Sequence, residues 1–212
     1  MEVIETLLSS LFPRSCVRCG REGVLSCATC LAELPFSPPA ATPNHVSAFA
    51  YGNPLVRDLL KAWKYEFDAS GWYTLRDAAT SILPVVRKLL DTEAVAIVPI
   101  PLSSRRLCER GFNQSMIIAR WLGQELGLPV IDALERKHSS VHQAGLSTAA
   151  RAELAVASPF ILKSGSGFSI SHFSSILLVD DVLTTGATLA AAKASLVKSS
   201  NVKVTSFTLA KS

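Results

Sequence analysis

Short apolar runs alternate with helix-like stretches along this chain. Residues 46–51, 94–97, 176–179 and 202–209 are bulky, β-branched or small apolar runs of strand length, and residues 130–134 form a weaker one. The runs at 94–97 and 176–179 are apolar without alternation, as expected of strands covered on both faces of a parallel sheet. Between them the period turns helical. Leu55, Leu59, Leu60 and Trp63 fall on one face of a helix over 54–65. Residues 72–90 read as helix with a bend at Pro84, a further helix runs to Leu126, and 189–198 is rich in Ala with Leu189, Leu196 and Val197. Residues 1–12 carry Glu2 and Glu5 and no early Lys or Arg, which reads as a short amphipathic helix and not a secretory signal. Strand and helix in alternation predict an α/β fold, a parallel sheet flanked by helices on both faces.

The strand at 176–179 runs into the most informative stretch. Asp180 and Asp181 stand side by side at its carboxyl end, where open α/β sheets bind ligands. Thr184, Thr185, Gly186, Ala187 and Thr188 follow as a turn of small residues before the helix. N–H groups at a helix start carry partial positive charge, so this loop suits a phosphate. The two carboxylates beside it suit ribose hydroxyls or a hydrated Mg²⁺. The strand at 94–97 leads through Pro99 and Pro101 into a polar, basic loop with Ser103, Ser104, Arg105 and Arg106, followed by Arg110-Gly111-Phe112-Asn113-Gln114. Guanidinium forks match phosphate oxygens, so Arg105, Arg106 and Arg110 suit pyrophosphate.

Cysteine spacing adds a second feature. Cys16 and Cys19, then Cys27 and Cys30, form two C-x2-C pairs. Four thiolates are a full tetrahedral set for structural Zn²⁺, although the pairs are closer in sequence than in most zinc ribbons. Residues 1–35 are thus expected to hold a small four-cysteine zinc finger, joined through Pro35, Pro38, Pro39 and Pro43 to a main domain over 46–212. Cys108 has no partner. The 212 residues suffice for one substantial domain and a small appendage, and 49% hydrophobic with 18% charged residues excludes disorder. The net charge of +4 permits a phosphate-rich ligand or nucleic acid without requiring either. No apolar run reaches the roughly twenty residues of a membrane span. A cytoplasmic location is expected, where thiols stay reduced.

The stretch at 176–188 resembles the motif that binds 5-phosphoribosyl-1-pyrophosphate (PRPP) in type I phosphoribosyltransferases. The resemblance implies that Asp180 and Asp181 hold the ribose 2- and 3-hydroxyls and that Thr184, Thr185, Gly186, Ala187 and Thr188 hold the 5-phosphate. The cysteine module, Lys64 next to Tyr65, Pro99-Ile100-Pro101, Arg110 to Gln114, then Gln143 and Arg151, occur in an order similar to the ComF family, the competence-associated branch of that fold. The similarity covers nearly the whole chain. It implies a type I phosphoribosyltransferase fold, Lys64 at the ligand site and Mg²⁺ arriving with PRPP. Two departures are the absence of a further Cys-x2-Cys pair and of an asparagine shortly after Arg151, where Ala152, Glu153 and Leu154 stand. The polar segment 135–153, with Arg136, Lys137, His138 and His142, is a candidate for a mobile loop over the pyrophosphate, and its histidines read as solvated.

Three functions follow as alternatives. In the first, the chain binds PRPP with Mg²⁺ as an accessory factor in DNA uptake, alongside single-stranded DNA or proteins of the uptake machinery. In the second, it is a phosphoribosyltransferase that transfers phosphoribosyl to a base or amine, with Asp180, Asp181, Arg105 and Arg110 in catalysis. The third, a single-stranded DNA-binding module, is weakened by an aromatic content of 7%, sparse for base stacking.

Overall fold

A computed structural model describes residues 14–34, 42–66, 68–90, 94–137, 158–163, 170–199 and 202–212. The helix expected over 1–12, the linker prolines Pro35, Pro38 and Pro39, the turn at 164–167, and His138, His142, Gln143 and Arg151 lie outside the described residues.

The apolar runs became strands β1 (His45–Ala50), β2 (Val95–Pro99), β5 (Ser175–Leu183) and β6 (Lys203–Lys211), joined in the order β1-β6-β5-β2 with every pairing parallel. One sheet face, with Ile97, Leu177, Val179, Phe207 and Leu209, packs on helices α2 (Pro54–Tyr65), α3 (Ala69–Ala79) and α6 (Gln114–Leu126). The other, with Ala96, Val98, Ile176, Leu178 and Val204, packs on α7 (Ala187–Ser199). Burial on both sides is why β2 and β5 lack alternation. Helices α2 and α3 meet closely at Gly71, where a Cβ would lie 2.6 Å from the Leu59 carbonyl oxygen. That approach lets Trp63 stack on Trp72 at 5.0 Å, and Trp63 in turn meets Phe112 at 5.9 Å.

Several boundaries differ from the expectation. The bend near Pro84 is a 3₁₀ turn over Thr80–Ile82, after which Pro84 opens α4 (Leu83–Leu89), where its missing N–H costs nothing. The strand expected at 130–134 is a single parallel bridge from Val130 to Ile97. The chain then turns away and forms β3 (Leu134–Arg136), antiparallel to β4 (Phe160–Leu162) in a separate two-stranded sheet. The basic loop after β2 is a helix, α5 (Ser104–Arg110), because Ser103 caps its start through the Arg106 N–H and Gly111 ends it in the left-handed conformation at φ 73°.

Candidate functional site

The pairing of β2 with β5 stops at Pro99 and Val179, whereas β5 continues alongside β6 as far as Leu183. Asp180 and Asp181 are therefore still in strand conformation but have lost their neighbour on one side. That gap is filled by the start of α6. Asn113 donates to the Ile100 carbonyl at 3.0 Å and accepts the Ser115 N–H at 3.1 Å, fixing the helix against the end of β2. Ser115 Oγ then donates to Asp180 Oδ1 at 2.9 Å, and the Asp181 N–H donates to the same oxygen at 2.9 Å.

The two acids have different company. Asp181 Oδ2 lies 2.6 Å from Lys64 Nζ and 3.8 Å from Arg110 Nη1. Among the described residues, the hydrogen bonds to Asp180 come from the neutral donors just named. Burial, reinforced by the charge of Asp181, pushes the Asp180 carboxyl up to about 7, although its hydrogen bonds and Lys64 pull the other way. Lys64 comes from the last turn of α2, held in place by Trp63 in the aromatic cluster.

Arg110 is the centre of a second layer. Its side chain is 8% exposed, its Nη2 donates to Tyr65 Oη at 2.9 Å, its guanidinium lies 5.0 Å from the Tyr65 ring centre, and its Nη1 donates to Gln114 Oε1 at 3.2 Å. Arg110 Nε and Gln114 Nε2 are buried donors without an acceptor among the described residues. The arginines singled out in the sequence thus separate. Arg110 sits beneath the acids, Arg105 is 89% exposed and pairs with Glu109 on the solvent side, and Arg106 is exposed one turn before Arg110 on a similar face of α5. Tyr65, Gln114 and Ser115 are site residues the sequence reading did not assign. Tyr65 and Gln114 stood inside quoted motifs, but Ser115 gave no signal.

Beyond the acids, Thr184, Thr185, Ala187 and Thr188 are exposed and Gly186 takes the left-handed conformation at φ 79°. Thr185 Oγ1 accepts the Ala187 N–H, which starts α7 with its N-terminal end open to solvent. A cleft of about 490 Å³ lies elsewhere, between α5, α6 and the β3–β4 sheet, lined by Leu107, Met116, Ile117, Arg120, Leu134 and Arg136, and does not include the acids.

The sulfur atoms of Cys16, Cys19, Cys27 and Cys30 all lie within 4.8 Å of one another, and all four thiols are free. Zn–S bonds of about 2.3 Å in a tetrahedron put sulfurs roughly 3.8 Å apart, so the group could hold a metal ion such as zinc. Burial opposes ionisation of Cys16, but the N–H groups of Cys19, Cys27 and Arg18 outweigh it and bring its pKa down to about 6. The Cys30 N–H lowers Cys27. Burial, then the neighbouring sulfurs, push Cys30 up to about 12. Four thiolates at this spacing need a cation to coexist. The module, which includes the short helix α1 (Ala28–Ala32), rests on α3: Ser26 Oγ meets Thr74 Oγ1 at 3.2 Å, Arg14 donates to Ser70 Oγ at 2.9 Å, and Cys16, Cys27, Cys30 and Leu34 join the core.

No family model matches the chain. The competence protein ComFC of Streptococcus pneumoniae is 31% identical over 166 residues, 78% of this chain and 67% of that protein. The chain belongs to the ComF family of competence proteins. ComFC of Bacillus subtilis is also 31% identical, over 78% of this chain and 63% of its own length, and competence protein F of Haemophilus influenzae is 27% identical over 82% and 74%. The ComF-family chain thus spans about two thirds of the length of the two ComFC relatives. Among solved structures, adenine phosphoribosyltransferase of Leishmania tarentolae overlays with a TM-score of 0.43 at 14% identity, over 82% of this chain and 94% of that one, a likeness too loose to speak of ligand or activity. Among the described residues no helix is long and apolar enough to cross a membrane.

Proposed function

We propose that this ComF-family protein binds PRPP at residues 180–188 and serves as a PRPP-responsive accessory factor in DNA uptake. The observation that carries the proposal is the continuity of β5 through Asp180 and Asp181 into an exposed Thr/Gly loop that opens α7. Acceptors for a diol and N–H donors for a phosphate then follow one another along a single strand–loop–helix unit, as a ribose 5-phosphate requires. Asp180 and Asp181 would accept from the ribose hydroxyls, and Thr184, Thr185, Gly186, Ala187 and Thr188 would surround the 5-phosphate. Lys64, 2.6 Å from Asp181, would add positive charge beside the acids.

Mg²⁺ is expected with PRPP, but the donor set does not fit an ion held by the protein alone. Lys64 and Arg110 share Asp181, and Asp180 accepts Ser115 and a backbone N–H. The metal would come with the ligand's own oxygens. At the other end of the chain, Cys16, Cys19, Cys27 and Cys30 would hold structural Zn²⁺, which ties the module to α3 and thereby braces the helix pair that presents Lys64.

The accessory role is favoured over phosphoribosyl transfer by the placement of the arginines. Pyrophosphate departure needs positive charge free to meet it in the transition state. Arg110 is buried in contacts with Tyr65 and Gln114, whereas Arg105, paired with Glu109, and Arg106 face solvent and make no ion pair with Asp180 or Asp181 among the described residues. Pyrophosphate release from PRPP, assayed with a panel of bases and amines, tests this. The expected result is saturable PRPP binding with no release above background, together with impaired DNA uptake in a deletion strain. Robust release with any acceptor would replace the accessory role with the enzyme.

A further inference from the structure

The misfit between the acidic pair and a divalent ion has a specific cause. We propose that Lys64 is the resident cation of Asp181, standing where a divalent ion would otherwise bind, so that the free protein has no divalent site at Asp180 and Asp181. The Nζ–Oδ2 separation of 2.6 Å is that of a charge-assisted hydrogen bond, made between side chains only 12% and 15% exposed. Lys64 reaches the carboxylate from a rigid base. The preceding Trp63 is stacked on Trp72 and packed on Phe112, and the following Tyr65 is held by the Arg110 guanidinium. Arg110 Nη1 at 3.8 Å adds a second positive group on the same oxygen.

Asp181 alone thus faces two protein cations. A divalent ion at Asp181 would have to displace an ammonium or sit beside it in a half-buried, weakly screened position. Mg²⁺ and Mn²⁺ are hard cations that need free carboxylate oxygens and near-octahedral geometry. Asp180 does not make up the deficit, since one of its oxygens already accepts two hydrogen bonds. For the ligand, this arrangement means that a sugar pyrophosphate arrives with its metal, and Lys64 then shares Asp181 with the incoming diol. That consequence rests on 180–188 being the PRPP site; the metal behaviour of the free protein does not.

The test uses the zinc-loaded full-length protein, without any phosphate ligand, titrated with Mn²⁺ and read by electron paramagnetic resonance. Wild type is expected to retain no more Mn²⁺ than Asp181→Asn. Lys64→Met keeps the aliphatic stem that packs along α2 and removes the charge. It is expected to gain one Mn²⁺ site at least tenfold tighter than any in wild type, lost again in Lys64→Met/Asp181→Asn. Lys64→Arg, which keeps the cation, should behave as wild type. A thermal melt checks each variant, and Lys64→Gln serves if Lys64→Met does not fold. Mn²⁺ bound by wild type and released by Asp181→Asn overturns the proposal, as does the absence of a new site in a folded, uncharged Lys64 variant. Because no PRPP is present, failure here is separate from failure of PRPP binding.

Discussion

Arg110→Ala is expected to destabilise the protein by about 3 kcal/mol, read as a lower urea midpoint with an unchanged slope. The guanidinium is nearly buried and joins three elements: Tyr65 on α2, Gln114 on α6 and Asp181 on β5. Truncation strands the buried acceptor Gln114 Oε1, takes the donor from the exposed Tyr65 Oη, and leaves Lys64 as the one cation on Asp181 among the described residues. Loss of the stacking on Tyr65 adds to the cost. Arg110→Lys should recover little of it, because one ammonium cannot reproduce a planar fork that reaches Tyr65 and Gln114 from fixed directions. A change below about 1 kcal/mol for Arg110→Ala would mean that the cluster does not hold α2 against the sheet. The corresponding exposed change, Arg105→Ala, removes an i,i+4 pair with Glu109 and should be near neutral.

Loss of the cysteine cluster should be larger still. Metal analysis is expected to find one zinc per chain, and Cys27→Ser/Cys30→Ser is expected to abolish it and lower stability by about 5 kcal/mol or more. Isolated zinc fingers owe about 10–16 kcal/mol of apparent binding energy to the metal, which for such modules is folding energy. The cysteine module is too short for a core of its own and borrows one through Cys16, Cys27, Cys30 and Leu34, which pack with the α2–α3 side of the main core. Unfolding it would uncover that side of α3 and free the Ser26–Thr74 and Arg14–Ser70 contacts. Thermal melts with and without a chelator measure the effect. A zinc content near zero with a melt unmoved by the substitutions would refute the site.

The sheet was legible because its strands are buried on both faces, so β2 and β5 appear as unbroken apolar runs whatever their neighbours are. Asp180, Asp181 and the loop that follows were legible as a local unit, since strand, acids, turn and helix are contiguous. Less legible was whatever depended on partners far along the chain. Ser115 and Asp180 are 65 residues apart, and nothing around Ser115 signals the contact. Arg105, Arg106 and Arg110 looked equivalent because they lie in one polar segment. The caps Ser103 and Gly111 make that segment a helix, and a helix sends its side chains to different surroundings. Strands β3 and β4 are three residues each, too short for alternation to register, and pair across a long intervening segment.

Calorimetric titration of the full-length protein with PRPP and Mg²⁺ tests the central claim most directly. Wild type is expected to bind one PRPP per chain saturably, and Asp180→Asn/Asp181→Asn, which keeps the shape of the site and removes its acceptor charge, is expected to give no detectable heat of binding. Equal binding by wild type and the double variant would contradict the assignment of residues 180–188 as the ligand site.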